Sequence, residues 1–278
     1  MKRAHRLRAA LAGLLAAGAL LVPLAGCTEP TAPAAPFERL GRRAARKVVP
    51  RAGPDARVVA ARRWGLAAPL EPAPRPPAAR PALPYVVDRV PLHGVKVVFL
   101  TFDDGPGTDP GFPRMVRDLK LPVALFLNDS VAASGYDRVE TLRALGAGVH
   151  NHTLDHPDLR TLDDAAQRAE ICGQRDRLAA RFGARPHLFR PPYGAYDAST
   201  LRAAKECGVT AVVLARATMA ADGLQYAEGA HHLLPGDIVR AHLPEPGESG
   251  VSATRLTARL LDEVQAQGFA VGRLEDYL

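Results

Sequence analysis

Cysteine is scarce, with three in 278 residues, so no disulfide framework can carry the fold. Tryptophan occurs once, at Trp64, and no internal repeat is visible. Apolar runs are short as well. The run at 9–22 is 14 residues long, against the roughly 20 that a spanning helix needs, and no later segment could cross a membrane. Acidic residues are missing from 1–27, which hold four basic ones, while 28–90 hold 12 basic against 5 acidic. The remaining 188 residues hold 20 basic against 24 acidic. The net charge of +7 therefore lies ahead of the part long enough to bury a core. The overall charge therefore does not report a basic nucleic-acid face, and no nucleic-acid partner is expected. What is plentiful is apolar: 47% hydrophobic residues exclude a wholly disordered chain, a collagen-like repeat and a disulfide-packed miniprotein.

Lys2, Arg3, Arg6 and Arg8 precede the apolar run, which ends in Leu24-Ala25-Gly26-Cys27. A basic head, an apolar stretch and small residues before a cut site make a secretory signal. Its end resembles the bacterial lipobox, in which the cysteine is acylated and becomes the mature N-terminus. Residues 1–26 are expected to be removed and Cys27 lipidated. The protein would then sit on the extracytoplasmic face of a bacterial membrane, its acyl chains in the bilayer. An ordinary signal peptide with a chance cysteine is the alternative. Residues 27–90 read as a tether: 12 of the 63 residues from 28 onward are proline, densest at Pro72-Ala73-Pro74-Arg75-Pro76-Pro77. Such a stretch buries too little apolar surface to offset its ordering entropy. As a coil it would reach roughly 45 Å. Its arginines either attract an anionic lipid or wall surface or only keep the tether soluble.

From about residue 95 the pattern changes. The runs 95–101 (VKVVFLT), 122–128 (PVALFLN) and 209–215 (VTAVVLA) read as buried strands. Helices are expected between them. One opens on an Asp137/Glu140 capping box and stops at Gly146; a second opens on Thr161 and Asp164 and stops at Gly183. A third opens on Asp197 and ends near Gly208, and a last apolar stripe, Leu256, Leu260 and Val264, is closed by Gly268. Strand and helix alternate, which argues for an α/β fold with a parallel sheet or barrel over 91–278. Cys172 and Cys207 both fall on expected helices. In an oxidising compartment they are either a disulfide or two separate buried thiols.

The chemistry sits at strand ends. The first strand runs into Thr101-Phe102-Asp103-Asp104-Gly105-Pro106. Adjacent side chains diverge, so one aspartate can ligate a metal while its neighbour faces a reacting water. On its own, an aspartate pair in a turn serves equally for capping or solvation. Further on come His150-Asn151-His152-Thr153-Leu154-Asp155-His156. His152 and His156, four apart, can place two imidazoles on one metal. Two histidines and an aspartate suit zinc and other divalent first-row ions.

Together these strings resemble the polysaccharide deacetylase family, carbohydrate esterase family 4, with its NodB homology domain. TFDDGP at 101–106 is similar to the first motif and HTLDHP at 152–157 to the second. Arg190-Pro191-Pro192-Tyr193-Gly194 is similar to the third, and Asp237-Ile238-Val239-Arg240-Ala241-His242 to the last. The resemblance implies a distorted (β/α) barrel with its site at the strand C-terminal ends. It implies one divalent ion, zinc first with cobalt, manganese or nickel as alternatives, held by Asp104, His152 and His156. Asp103 would be the base, Arg190 would keep it ionised, and the Tyr193 backbone N–H would steady the oxyanion. His242 would protonate the leaving amine.

The fourth motif departs from the family. The expected tryptophan is missing, and Asp222 is the only aspartate near enough to support Arg190. Arg240 replaces a usual leucine, so an apolar wall against the acetyl methyl is altered. The reading is a monomeric, lipid-anchored, metal-dependent enzyme that removes N-acetyl groups from a surface or extracellular glycan. Peptidoglycan leads, ahead of amino-sugar exopolysaccharide or chitin-like oligomers. The alternatives are a catalytically impaired relative that only binds glycan, an esterase of O-acetyl groups, or a hydrolase of cyclic amides.

Overall fold

The computed structural model describes residues 55–76, 85–92, 94–183, 185–227, 231–243 and 251–278. The signal segment, Cys27 and most of the tether lie outside the described residues. Among those described, no helix is long and apolar enough to cross a membrane.

Strand β2 (Val97–Asp104) shows how the sheet sorts its side chains. Successive strand residues point to opposite faces. Val97 and Phe99 face the barrel interior with Phe126, Leu188, Val213 and Ile238. Val98, Leu100 and Phe102 face outward onto Phe112, Leu256 and Leu260 of the surrounding helices. Both faces are buried, which is why this strand reads as an unbroken apolar run. The same alternation carries Thr101 and then Asp103 to the interior, both essentially without solvent exposure.

Around β2 lie β1 (Val86–Val87), β3 (Ala124–Leu127), β4 (Gly148–Asn151), β5 (Leu188–Phe189) and β6 (Ala211–Val213). Later in the chain come β7 (Ala217–Ala220), β8 (Gly223–Tyr226), β9 (Ile238–His242) and β10 (Ala270–Gly272). The order across the sheet is β1-β6-β5-β4-β3-β2-β9-β7-β8, with β10 against the first residues of β2. Every pair is parallel except β7 with β8. The sheet curls into an incomplete barrel with helices outside it, as the fold class expected. After β1 the chain crosses toward β9, where Arg89 bridges Asp237 and the Val90 N–H donates to the Gly236 carbonyl at 2.9 Å. Gly236 has φ 86°, and a Cβ there would stand 1.7 Å from the Val90 oxygen. Only glycine fits so close a crossing.

The helices are α1 (Ala56–Arg63), α2 (Gly111–Leu119), α3 (Tyr136–Ala144), α4 (Asp164–Phe182), α5 (Ala198–Glu206) and α6 (Ala253–Ala266). Two start signals differ from expectation. Helix α3 begins after Gly135 with no side-chain cap, so Asp137 and Glu140 form no capping box. They pair instead with Arg181 and Arg143. At α4 the cap is Asp163, which accepts from the Ala166 N–H, rather than Thr161. Asp197 with Thr200 does form a capping box on α5. Glycines 183, 208 and 268 all carry positive φ where helices were expected to stop. Cys172 and Cys207 are joined, tying α4 to the end of α5.

Part of the expected tether is folded. Helix α1 is capped by Asp55, and Leu66 behind it is buried in the outer core. Trp64 Nε1 and Arg63 both reach Asp118 on α2, and Pro72 bridges Val271 of β10. The proline content of 28–90 as a whole hid this, because the docking stretch 55–68 itself contains no proline.

Candidate active site

Asp103 and Asp104 end β2 differently. Asp103 continues the alternation into the interior, whereas Asp104 has φ 73° and turns out of the strand. The left-handed turn swings its carboxylate toward the loop after β4. Asn128, at the end of β3, donates from Nδ2 to Asp104 Oδ1 at 2.8 Å. Its own Oδ1 accepts from Ser130 Oγ and the Val131 N–H, capping a single helical turn, Asp129–Ala132. The amide is thus locked, and it aims the carboxylate.

The loop after β4 is held on both sides. Asn151 is buried, with Nδ2 on the Ile171 carbonyl and Oδ1 accepting from the Thr153 N–H. Glu170 Oε2 accepts from the N–H groups of Leu154 and Asp155, both at 3.0 Å. Thr153 and His156 have φ 69° and 58°, which closes the turn and points both histidines the same way. His152 Nδ1 lies 2.7 Å from the Arg190 carbonyl. A carbonyl can only accept, so the proton is on Nδ1 and the Nε2 lone pair faces out.

The three expected ligands converge. His152 Nε2 and His156 Nε2 are 3.2 Å apart, and they stand 3.8 and 3.4 Å from Asp104 Oδ1. A tetrahedral ion with bonds of about 2.0–2.1 Å has ligand-to-ligand edges of roughly 3.3 Å. The two Nε2 atoms and one carboxylate oxygen fit that requirement. His242, half-exposed at the end of β9, places Nε2 3.4 Å from Asp104 Oδ2.

Asp103 lies beside this set. Arg190 Nη1 donates to Asp103 Oδ1 at 2.5 Å, with both side chains buried. Burial would raise the Asp103 carboxyl, but the charge and hydrogen bond of Arg190 hold it below its ordinary value. Its other oxygen, Oδ2, is buried with no hydrogen-bond partner among the described residues. His152 is pushed down by burial, against the pull of Asp103 and Asp104, and so is kept neutral.

Arg190 is firmly held, though not by Asp222. Its guanidinium donates to Thr101 Oγ1, the Val213 carbonyl and the Leu214 carbonyl, and lies 4.2 Å above the Phe126 ring. Asp222 stands in the exposed turn between β7 and β8, accepting from Gln225. The expectation that it supports Arg190 is corrected: backbone carbonyls and a threonine hydroxyl have taken that place. Tyr193 is where the third motif puts it, with φ 59° and its ring 4.8 Å from that of His156. Of the five non-glycine residues with positive φ among those described, four are Asp104, Thr153, His156 and Tyr193. Backbone strain gathers at this mouth, as it does at functional sites.

Thr101, Asn128, Asn151 and Glu170 were given no role by sequence. Thr101 and Asn128 did carry a signal, each a polar residue inside a stretch that otherwise reads as a buried strand. A cavity of about 220 Å³ adjoins the site, lined by Arg190, Tyr193, Leu214, Thr218 and Arg240 among others. A larger one, about 480 Å³, lies between α1 and β10 and includes none of these residues.

Comparison with known proteins places this geometry. The profile of the polysaccharide deacetylase family matches residues 93–212. An uncharacterised protein of Streptomyces coelicolor is 53% identical over 70% of this chain and 78% of its own length. A chitooligosaccharide deacetylase of Bradyrhizobium is 30% identical over 44% of this chain, and the match spans 57% of that relative. Among solved structures, a family 4 carbohydrate esterase from Streptomyces lividans in complex with acetate superimposes with a TM-score of 0.52. It is 25% identical, over 64% of this chain and 92% of its own. The chain thus carries a polysaccharide deacetylase domain, matched over residues 93–212.

Proposed function

We propose that the chain is a metal-dependent hydrolase that removes N-acetyl groups from an extracytoplasmic glycan, peptidoglycan first. One observation carries the reading: a three-ligand metal set stands beside a buried carboxylate kept ionised by a buried arginine. A divalent ion held by Asp104, His152 and His156, zinc first, would supply Lewis-acid polarisation and a more acidic water. Asp103 takes the proton of the attacking water at Oδ2, the oxygen that Arg190 leaves open. Arg190 keeps Asp103 ionised and fixed, so the base needs no reorganisation as the proton moves. The Tyr193 N–H, turned by its positive φ, donates to the oxygen that gains charge as the carbonyl carbon becomes tetrahedral. His242, solvent-accessible at the mouth, gives a proton to the departing nitrogen so that it leaves as a neutral amine.

Similarity to a chitooligosaccharide deacetylase supports an N-acetylated amino sugar. The signal-like residues 1–27 support a lipid anchor at Cys27 outside the cytoplasm. The impaired-relative reading drew on the altered fourth motif, and the contacts that hold the Arg190 guanidinium without Asp222 count against it. The test is acetate release from purified peptidoglycan and from chitooligosaccharides, before and after chelation and zinc return. Loss and recovery of release are expected. Asp103→Asn should retain metal yet lose on the order of 10²–10⁴ in turnover. Equal release by chelated and metal-loaded protein refutes the metal reading, and near wild-type release by Asp103→Asn refutes the base.

A further inference from the structure

The interior face of β9 carries more positive charge than the reaction uses. Alternation along β9 sends Ile238, Arg240 and His242 inward. Arg240 is paired across the sheet with Thr101 on one side and Thr218 on the other. Thr101 is the hydroxyl that receives Arg190. Two guanidinium groups therefore share one wall of the 220 Å³ cavity. Arg190 is neutralised by Asp103. Arg240 takes part in no ion pair among the described residues, and its buried Nε has no hydrogen-bond partner there. The Arg240 charge adds to burial in pushing Arg190 down. A cation with no partner among the described residues, next to a buried ion pair, is a cost in the free protein. It is recovered if an anion enters the cavity, and a neutral acetyl methyl would recover nothing.

We propose that Arg240 is a specificity residue that receives a carboxylate borne by the glycan close to its N-acetyl group. This rests on the deacetylase reading of the site and names its substrate class: an acidic amino-sugar polymer rather than a neutral one. A 3-O-lactyl ether on the sugar supplies such a carboxylate, and the cavity holds a group of that size at about 30 Å³ per water displaced. Arginine suits the task because its fork meets both carboxylate oxygens. Acetate, the product, carries the same chemistry, so the two sources must be separated.

The full chain, loaded with zinc, is assayed on three N-acetylated oligosaccharides of equal length. One is neutral, one carries lactyl carboxylates free of peptide, and one carries those carboxylates as methyl esters. Wild-type protein is expected to prefer the free acid at least tenfold in kcat/KM over its methyl ester, mainly through KM. Arg240→Leu should erase that ratio and Arg240→Lys should restore part of it. The wild-type comparison of acid with ester needs no variant, so misfolding of either variant cannot mask the answer. Equal kcat/KM for acid and ester overturns the proposal. So does an Arg240→Leu variant that keeps the preference. If Arg240→Leu weakens acetate inhibition while keeping the acid-to-ester ratio, the cation serves the product and the substrate assignment is wrong. Calorimetric binding of acid and ester to wild-type and Arg240→Leu proteins reads the same preference without turnover. A chain that prefers the acid in binding but releases no acetate would fail the deacetylase reading alone.

Discussion

Asn128 contributes to the site without any reacting atom of its own. One half of its amide is fixed by the helical turn it caps, and the other half aims the Asp104 carboxylate. Partners that orient metal ligands are typically worth 10–100-fold in affinity. Asn128→Ala should therefore weaken zinc binding by about that factor while Asp103 and Arg190 stay paired. Competition with a chelator of known affinity measures it, and an unchanged affinity would show that Asp104 orients itself. Glu275 offers a second case, away from the chemistry. It accepts from, or pairs with, His150 Nε2 at 2.8 Å. Burial would raise its pKa, but His150 and Arg273 hold it below the ordinary value. A depressed carboxylate stabilises the fold above its unfolded pKa, near 4.3, and loses that contribution as pH falls through the folded value. The stability gap between wild type and Glu275→Gln should be present above about pH 5 and close as the pH falls below about 4. A gap that persists undiminished well below about pH 4 would reverse the assignment.

At the scale of elements, the reading from sequence was strongest where one residue decides the structure. Asp197, Gly183, Gly208 and Gly268 were placed correctly because caps and left-handed stops are local chemistry. The three apolar runs became β2, β3 and β6 for a similar reason, since both faces of each strand are covered. Short β5 and the β7–β8 pair escaped notice, because a strand of two to four residues has too few positions to show a period. Asp222 was misjudged for a different reason. Proximity in sequence to a weak motif suggested a side-chain carboxylate, while the partners that hold Arg190 are main-chain carbonyls that no sequence displays. The tie between α4 and α5 was one of two open outcomes. Cys172 and Cys207 are 35 residues apart, and closing a loop of that length in the unfolded chain corresponds to about 3–4 kcal/mol. Cys172→Ser should lower stability by roughly that amount, read by chemical denaturation with a steeper slope, since the freed unfolded chain exposes more surface. Unfolded, unreduced protein should show neither of these two thiols to a thiol reagent.

On the scale of the molecule, the stretch from Asp55 to Pro76 belongs with the catalytic domain rather than with a tether. It supplies Leu66 to the outer core, brings Trp64 to Asp118 and passes beside β10, where Tyr277 Oη donates to the Pro74 carbonyl. Leu66→Ala would be silent in a free linker. Here it should cost about 2–4 kcal/mol, measurable by chemical denaturation, and no change would return the segment to linker status.

The parallel sheet has one more consequence, for the order in which the protein can be made. Strand β2 holds both aspartates, yet its neighbours β9 and β10 are made more than 130 residues later. The Thr101 hydroxyl donates to the Val239 carbonyl, 138 positions away. Long-range pairings of this kind close late and fold slowly. A growing chain cannot flank its two carboxylates on both sides until Ile238–His242 has emerged. The two carboxylates are therefore flanked on both sides only once β9 has joined the sheet, and a chain stopped before residue 238 lacks that strand and His242.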